Sequence, residues 1–246
     1  MKNFKRKIEL YAAPIISVKD KSRAAFQSHV RIIDDKLGIL MPETYLPITD
    51  KTKQSQRLFD WALEETVFAI QNLNKRNIHF DFFSIYMPQK VLEDDGCIEN
   101  FVSYIENSKI SFDNLALEIY SDVLFDKNSK SYKNAESLRD KGFKILLLNY
   151  ASENYPISKI SYIPADILCL DEFIVSCIAS GDKNEYEYAM SVIELSKNLG
   201  KQIYCKQIDN KDLYDSLYEF IDFGCGKFFG NYVKHRYIRL RWLPKI

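Results

Sequence analysis

The chain has 246 residues, 46% of them hydrophobic, with 34 basic and 34 acidic side chains and zero formal net charge. That hydrophobic content fills a core and excludes a disordered chain, and the balanced charge excludes a molecule that is basic all over, leaving room only for local patches. Glycine is scarce at 8, and neither G-x-G-x-x-G nor a Walker-type G-x-x-x-x-G-K occurs, so glycine-rich phosphate loops are excluded too.

The five cysteines, Cys97, Cys169, Cys177, Cys205 and Cys225, are odd in number and widely spaced, with no C-x-x-C pair. They read as free thiols of a reducing compartment rather than a zinc ribbon or a redox motif. The basic stretch Met1 to Glu9 leads into no apolar run long enough for a signal peptide or a membrane span. The expected location is cytoplasmic, the expected unit a single domain over 1–246, and Met1 reads as a true start rather than the edge of a fragment.

In chain order, Leu10 to Ile16 and Ala24 to Ile33 read as two strands joined by the polar turn Lys19-Asp20-Lys21-Ser22. Leu58, Trp61, Ala62, Val67, Ile70 and Leu73 recur at helical spacing between Ser55 and Arg76. Strand and helix then alternate: Phe80–Met87 strand, Ile98–Ile105 helix, Leu115–Ile119 strand, and Tyr132–Lys141 helix ended by Gly142. Lys144–Tyr150 is an almost wholly apolar strand, as expected where both faces are covered. Ile167–Leu170 is another strand, and a helix over Glu185–Leu199 stops at Gly200. A strand over Lys201–Ile208, a helix over Asp212–Phe223 and a last strand over Lys227–Val233 complete the series. About eight strands separated by helices predict a closed α/β barrel of the (β/α)8 type, with a site at the strand C-termini. Two strands joined without a helix make the first one antiparallel.

The order of elements, opening hairpin included, is similar to the EAL family of cyclic di-GMP phosphodiesterases, from about Leu10 to Val233. Ala12-Ala13-Pro14-Ile15-Ile16 resembles the family's Tyr-Gln-Pro-Ile-Val, and Gln27-Ser28-His29-Val30-Arg31 stands where Glu-Ala-Leu-x-Arg stands. Leu37 to Pro42 and Tyr45 to Ile48 resemble Gly-x-Leu-x-Pro and Phe-Ile-Pro-Leu, and Leu117 to Ser121 resembles Leu-Glu-Ile-Thr-Glu. Leu148-Asn149-Tyr150-Ala151 falls on Asp-Asp-Phe-Gly, Pro164-Ala165-Asp166 on Pro-Val-Asp, and Cys169-Leu170-Asp171 on Lys-Ile-Asp. Cys205 to Asp209 falls on Ala-Glu-Gly-Val-Glu, and Gly224 to Tyr232 on Gly-Cys-Asp-Tyr-Val-Gln-Gly-Tyr. The order and spacing of these motifs, more than any single one, carry the resemblance.

The resemblance implies a barrel whose strand ends hold two divalent cations, which need several oxygen ligands, mostly carboxylate. At the corresponding positions stand Gln27, Tyr86, Leu148, Asn149, Cys169, Lys206 and Phe229, with Glu118 the one retained carboxylate ligand and Asp171 also retained. Ala13 stands for a Gln, Ser121 for a bracing Glu, and residues 151–156 lack Gly-Thr-Gly-Tyr-Ser. The expectation is therefore a former active site with no catalytic residue, no metal and no cofactor. Lys206 is expected to replace the lost cations by pairing with Glu118 or Asp171. Arg31 resembles the family's phosphate-contacting Arg and stays open between that role and a salt bridge. His29, Cys169 and Cys205 make a weaker soft-metal alternative.

These expectations add up to a catalytically inactive EAL-like regulator acting through a protein partner such as a transcription or motility regulator. Binding of cyclic di-GMP is expected weak or absent, and a homodimer is open. A non-hydrolysing cyclic di-GMP receptor is the second reading and an active phosphodiesterase the third. Residues 234–246 read as a basic, aromatic tail beyond the barrel: a solvated end, or a contact for acidic protein, RNA or anionic lipid.

Overall fold

The computed structural model describes residues 7–20, 24–50, 52 and 54–238. The last two residues of the predicted opening turn, Lys21 and Ser22, lie outside the described residues, as do residues 1–6 and 239–246.

Strand β1, Lys7–Ser17, is buried from Glu9 to Ile16 apart from half-buried Tyr11. It pairs antiparallel with β2, Ala24–Asp34, from Lys7↔Ile33 to Ile16↔Ala24. A short third strand, β3 (Gly38–Leu40), folds back on β2 and ends the sheet on that side. Pro42 opens helix α1 (Pro42–Thr49), where its missing N–H costs nothing. Helix α2 (Gln54–Lys75) buries Phe59, Leu63, Ile70 and Leu73 along one face, each worth about 1.5–3 kcal/mol when fully removed from water.

The alternation follows. It runs β4 (Phe83–Tyr86), α3 (Gln89–Leu92), α4 (Asp95–Ser108), β5 (Leu115–Tyr120), α5 (Lys130–Asp140) and β6 (Lys144–Tyr150). Next come β7 (Ile167–Leu170), α6 (Glu172–Ala179), α7 (Lys183–Asn198), β8 (Gln202–Cys205), α8 (Lys211–Leu217), β9 (Phe223–Gly224) and β10 (Val233–Lys234). Side chains at the helix N-caps, among them Asp94, Ser129, Asp182 and Asn210, accept the first free backbone N–H groups.

Strands β4 to β9 run parallel to β2 and to one another, and β1 pairs antiparallel with both β2 and β9. Eight strands thus close a barrel with helices outside and an antiparallel first strand, as the sequence predicted. The core has two layers. Ala13, Ala116, Leu146, Leu148, Cys169 and Tyr204 pack inside the barrel, while Leu117, Leu147, Leu168, Cys205 and the helix faces pack outside it.

Several elements differ from the sequence reading. The eighth strand is Phe223–Gly224, not Lys227–Val233; α8 stops at Leu217, and Gly226 to Gly230 form a turn, with Phe229 N and Gly230 N both donating to Gly226 O. Helices α1, α3 and α6, and strand β3, were not in the predicted series. Beyond Gln27, β2 no longer pairs with β4, and its upper half joins β1, β3 and β10 in an antiparallel apron above the mouth. Residues 234–238, expected beyond the barrel, begin on that apron: Lys234 pairs with Tyr11, and His235 and Ile238 are buried.

Candidate functional site

Alternation along β5 turns Glu118 into the barrel and Leu117 and Ile119 out to the helices, so the carboxylate stands at the strand end, 6% exposed. Residues from β2, from β4 and from just past β8 fill its shell. Gln27 Nε2 of β2 donates to Oε1 at 3.0 Å, and Ser84 Oγ of β4 donates to the same oxygen at 2.6 Å. The ammonium of Lys206, just past β8, lies 3.7 Å from Oε2 and is 28% exposed. Burial works against the Lys206 charge, but Glu118 outweighs it and holds the proton more tightly than on an ordinary lysine. The expected pairing is with Glu118, not Asp171.

This carboxylate forms the floor of a cleft of about 500 Å³ between the barrel mouth, the apron and helices α1 and α2. Tyr232 OH donates to Gln27 Oε1 at 3.1 Å, and its ring stacks on His29 at 4.4 Å. His29 Nε2 faces Glu43 of α1 at 3.9 Å, and that contact lowers the Glu43 pKa. At the far wall Tyr86 OH donates to Asp50, the C-cap of α1; burial pushes the Tyr86 hydroxyl pKa up, and the Asp50 hydrogen bond adds to it. The Tyr86 ring meets Tyr120 edge-on at 5.5 Å. Arg31 lies on the apron with its guanidinium 3.9 Å from the Tyr11 ring centroid and 5.6 Å from that of Tyr232. Among the described residues its Nε is buried with no hydrogen-bond partner, and the guanidinium stacks on the two rings.

Of the positions singled out in the sequence, Gln27, Arg31, Tyr86, Glu118, Leu148 and Lys206 line the cleft. Cys169 lies in the inner core, where burial pushes its thiol up to about 12. Three others are elsewhere. Asn149 takes a left-handed φ of 54° where β6 shifts register, and it opens onto a separate groove beside Ser121. Asp171 caps α6, accepting from Phe173 N at 3.0 Å. Phe229 turns outward against Tyr214 and Phe228. The soft-metal trio does not assemble either, because alternation puts Cys169 inside the barrel and Cys205 in the outer layer.

The sequence reading missed Ser84, Tyr120, Asp50 and Tyr11. Ser84 and Tyr120 were findable, since each is two residues from a position already on the inward register, Tyr86 and Glu118.

As a donor set for hard divalent cations the floor offers one carboxylate, with both oxygens engaged by Gln27, Ser84 and Lys206. Of the other cleft carboxylates, Glu43 faces His29, Asp50 meets Tyr86 and Asp209 pairs with Lys227 at 2.9 Å. An ammonium already occupies the place of positive charge, and these residues do not fit a two-cation centre.

The family model described as the EAL domain matches residues 3–235. This chain belongs to the EAL domain family. It is 23% identical over 182 residues to the cyclic di-GMP phosphodiesterase PA2567 of Pseudomonas aeruginosa, a match covering 74% of this chain and 31% of that protein. The EAL domain thus spans about a third of the length of that curated relative. Its fold is that of the FimX EAL domain from Pseudomonas aeruginosa bound to c-di-GMP, with a TM-score of 0.77, 12% identity and coverage of 93% and 91% of the two chains. It is equally that of an EAL domain protein from Listeria monocytogenes EGD-e, with a TM-score of 0.77, 18% identity and coverage of 93% and 90%. Among the described residues no helix is long and apolar enough to cross a membrane.

Proposed function

We propose that this EAL domain does not hydrolyse cyclic di-GMP and serves as a regulator that acts by binding another protein. The observation that carries the reading is the Lys206 ammonium 3.7 Å from Glu118, on a floor whose other donors are Gln27 and Ser84, while Glu43, Asp50 and Asp209 of the same cleft meet His29, Tyr86 and Lys227. Activation of water by a metal pair needs oxygen anions free to coordinate, and a fixed ammonium repels the cations that would displace it. Gln27, Tyr86, Glu118, Leu148, Asn149, Cys169, Asp171, Lys206 and Phe229 are, in this reading, former active-site positions. With its site rebuilt for packing, the barrel remains a rigid platform, which is what a protein-binding regulator requires. A cytoplasmic setting and a partner that controls transcription or motility belong to the same proposal. Affinity capture on the tagged EAL domain from native extract tests it; recovery of no specific protein would count against it.

A second reading has its own support. The cleft of about 500 Å³ persists, with Arg31 on its wall and aromatic rings around it, which suits a nucleotide receptor without turnover. Calorimetric titration with cyclic di-GMP separates the two. Micromolar or tighter binding that is lost in Arg31→Ala favours the receptor; no heat at high ligand removes it.

A further inference from the structure

Three buried side-chain polar atoms of the cleft at the mouth have no hydrogen-bond partner among the described residues: His29 Nδ1, Arg31 Nε and Asp50 Oδ1. Buried polar atoms are as a rule paired, so three orphans around one space of about 500 Å³ point to a ligand. Two of them stand together. Gln27, His29 and Arg31 alternate along β2 onto its mouth-facing side, and both His29 and Arg31 border the ring of Tyr232, at 4.4 and 5.6 Å. The third belongs to the far wall, where Asp50 ends α1 and accepts from the Tyr86 hydroxyl.

The charges of the lining repeat this division. Glu118 faces Lys206 and Asp209 pairs with Lys227, so these four compensate one another. Glu43 has a side chain 76% exposed, which water solvates. Among the described residues that leaves one cation and one anion with no opposite charge. Arg31 has the Tyr11 and Tyr232 rings for neighbours, and Asp50 has only a phenol. Burial pushes the Asp50 carboxyl pKa up, as expected of a carboxylate with no cation beside it. The same cleft has an apolar wall, built from Leu46 of α1 and Leu58, Phe59 and Ala62 of α2. A ligand carrying only an anion serves Arg31 and is repelled by Asp50, and an amine does the reverse. A molecule with both charges and an apolar middle satisfies all three features.

We propose that this cleft binds a linear zwitterion, with its carboxylate at Arg31 and His29, its ammonium at Asp50 and its aliphatic spacer on the α1–α2 wall, independently of any protein partner. The test is calorimetric titration of the full chain with ω-amino acids from 4-aminobutanoate to 12-aminododecanoate. The alkanoate and the alkylamine of the best length serve as single-ended controls. One length is expected to bind best, about tenfold or more tighter than either control, because each end adds a charged hydrogen bond. Arg31→Gln should bring the zwitterion down to the affinity of the alkylamine, and Asp50→Asn to that of the alkanoate, with circular dichroism checking that both are folded. The three ligands compared on the unaltered chain keep the test decisive if a variant does not fold. No heat with any length overturns the proposal, as does a single-ended control that binds as tightly as the zwitterion. Affinity unchanged in either folded variant overturns it as well.

Discussion

The ammonium of Lys206 lies 3.7 Å from Glu118 Oε2, joining the ends of β8 and β5 across the barrel mouth. Where relatives of this family are expected to gather cations, this chain supplies its own. The ion pair is mostly buried, and Gln27 and Ser84 satisfy the other carboxylate oxygen. Breaking a buried pair from one side strands a charge, which costs more than the pair's net worth.

Lys206→Met should therefore lower stability by about 2 kcal/mol, somewhat less than a fully enclosed pair because the lysine is 28% exposed. Adding Glu118→Gln should restore at least half of that loss, since the stranded charge is gone. Urea unfolding of the two single variants and the double variant reads the coupling. Additive losses would mean that the two side chains do not interact.

The chain also carries strain at the site, at Gln207. This residue has φ of 59° and is exposed, at the position where the family pattern has Gly. A non-glycine residue in the left-handed region costs roughly 1 kcal/mol, partly offset by the extra freedom glycine has when unfolded. Gln207→Gly should raise stability by about 0.5 kcal/mol, seen as a higher unfolding midpoint at unchanged slope.

Gly226 tolerates no such exchange. A Cβ there would lie 2.3 Å from Ile208 O and 2.4 Å from Ile208 N, both backbone atoms, and φ is +152°. Gly226→Ala should cost about 3 kcal/mol or more, because the turn that carries Tyr232 back to Gln27 must shift. Thermal unfolding measures this, with exposed Gly181→Ala as the comparison: it meets no atom within 4 Å, so only its φ of +77° acts, at a cost of about 1 kcal/mol.

Glu9 links the apron to the chain's last described segment. Hydrogen bonds from Lys7, then Lys234, hold its carboxyl at about 2 against a usual 4.5. A depressed folded pKa contributes stability that is present above about pH 4.5 and lost as pH falls toward 2. In Glu9→Gln the difference from wild type should be full at pH 5 and shrink steadily toward pH 2. A difference independent of pH would contradict this role.

How much of this was legible before the fold was seen depended on length and alternation. Lys144–Tyr150, buried on both sides, and the long helix read from Leu58, Trp61, Ala62, Val67, Ile70 and Leu73 carry strong signals and both formed where expected, although Phe59 and Leu63 are buried where Leu58 and Trp61 are only half-buried. Phe223–Gly224 is a two-residue strand with no period to read, while Phe228, Phe229, Tyr232 and Val233 imitate one although Gly226 and Gly230 bend them into a turn. At the site, Gln27, Glu118 and Lys206 converge because each obeys its strand's alternation. Asn149 and Asp171 do not, since a register shift in β6 and a helix cap past β7 turn them away, and neither event has a sequence period.

The central claim is that this mouth cannot assemble a metal pair and so does not cleave cyclic di-GMP. Incubation of the purified EAL domain with cyclic di-GMP and manganese or magnesium, followed by chromatography for the linear dinucleotide, tests it most directly. The account predicts no product above the protein-free control with either cation. Metal-dependent product that disappears in Glu118→Gln would contradict it.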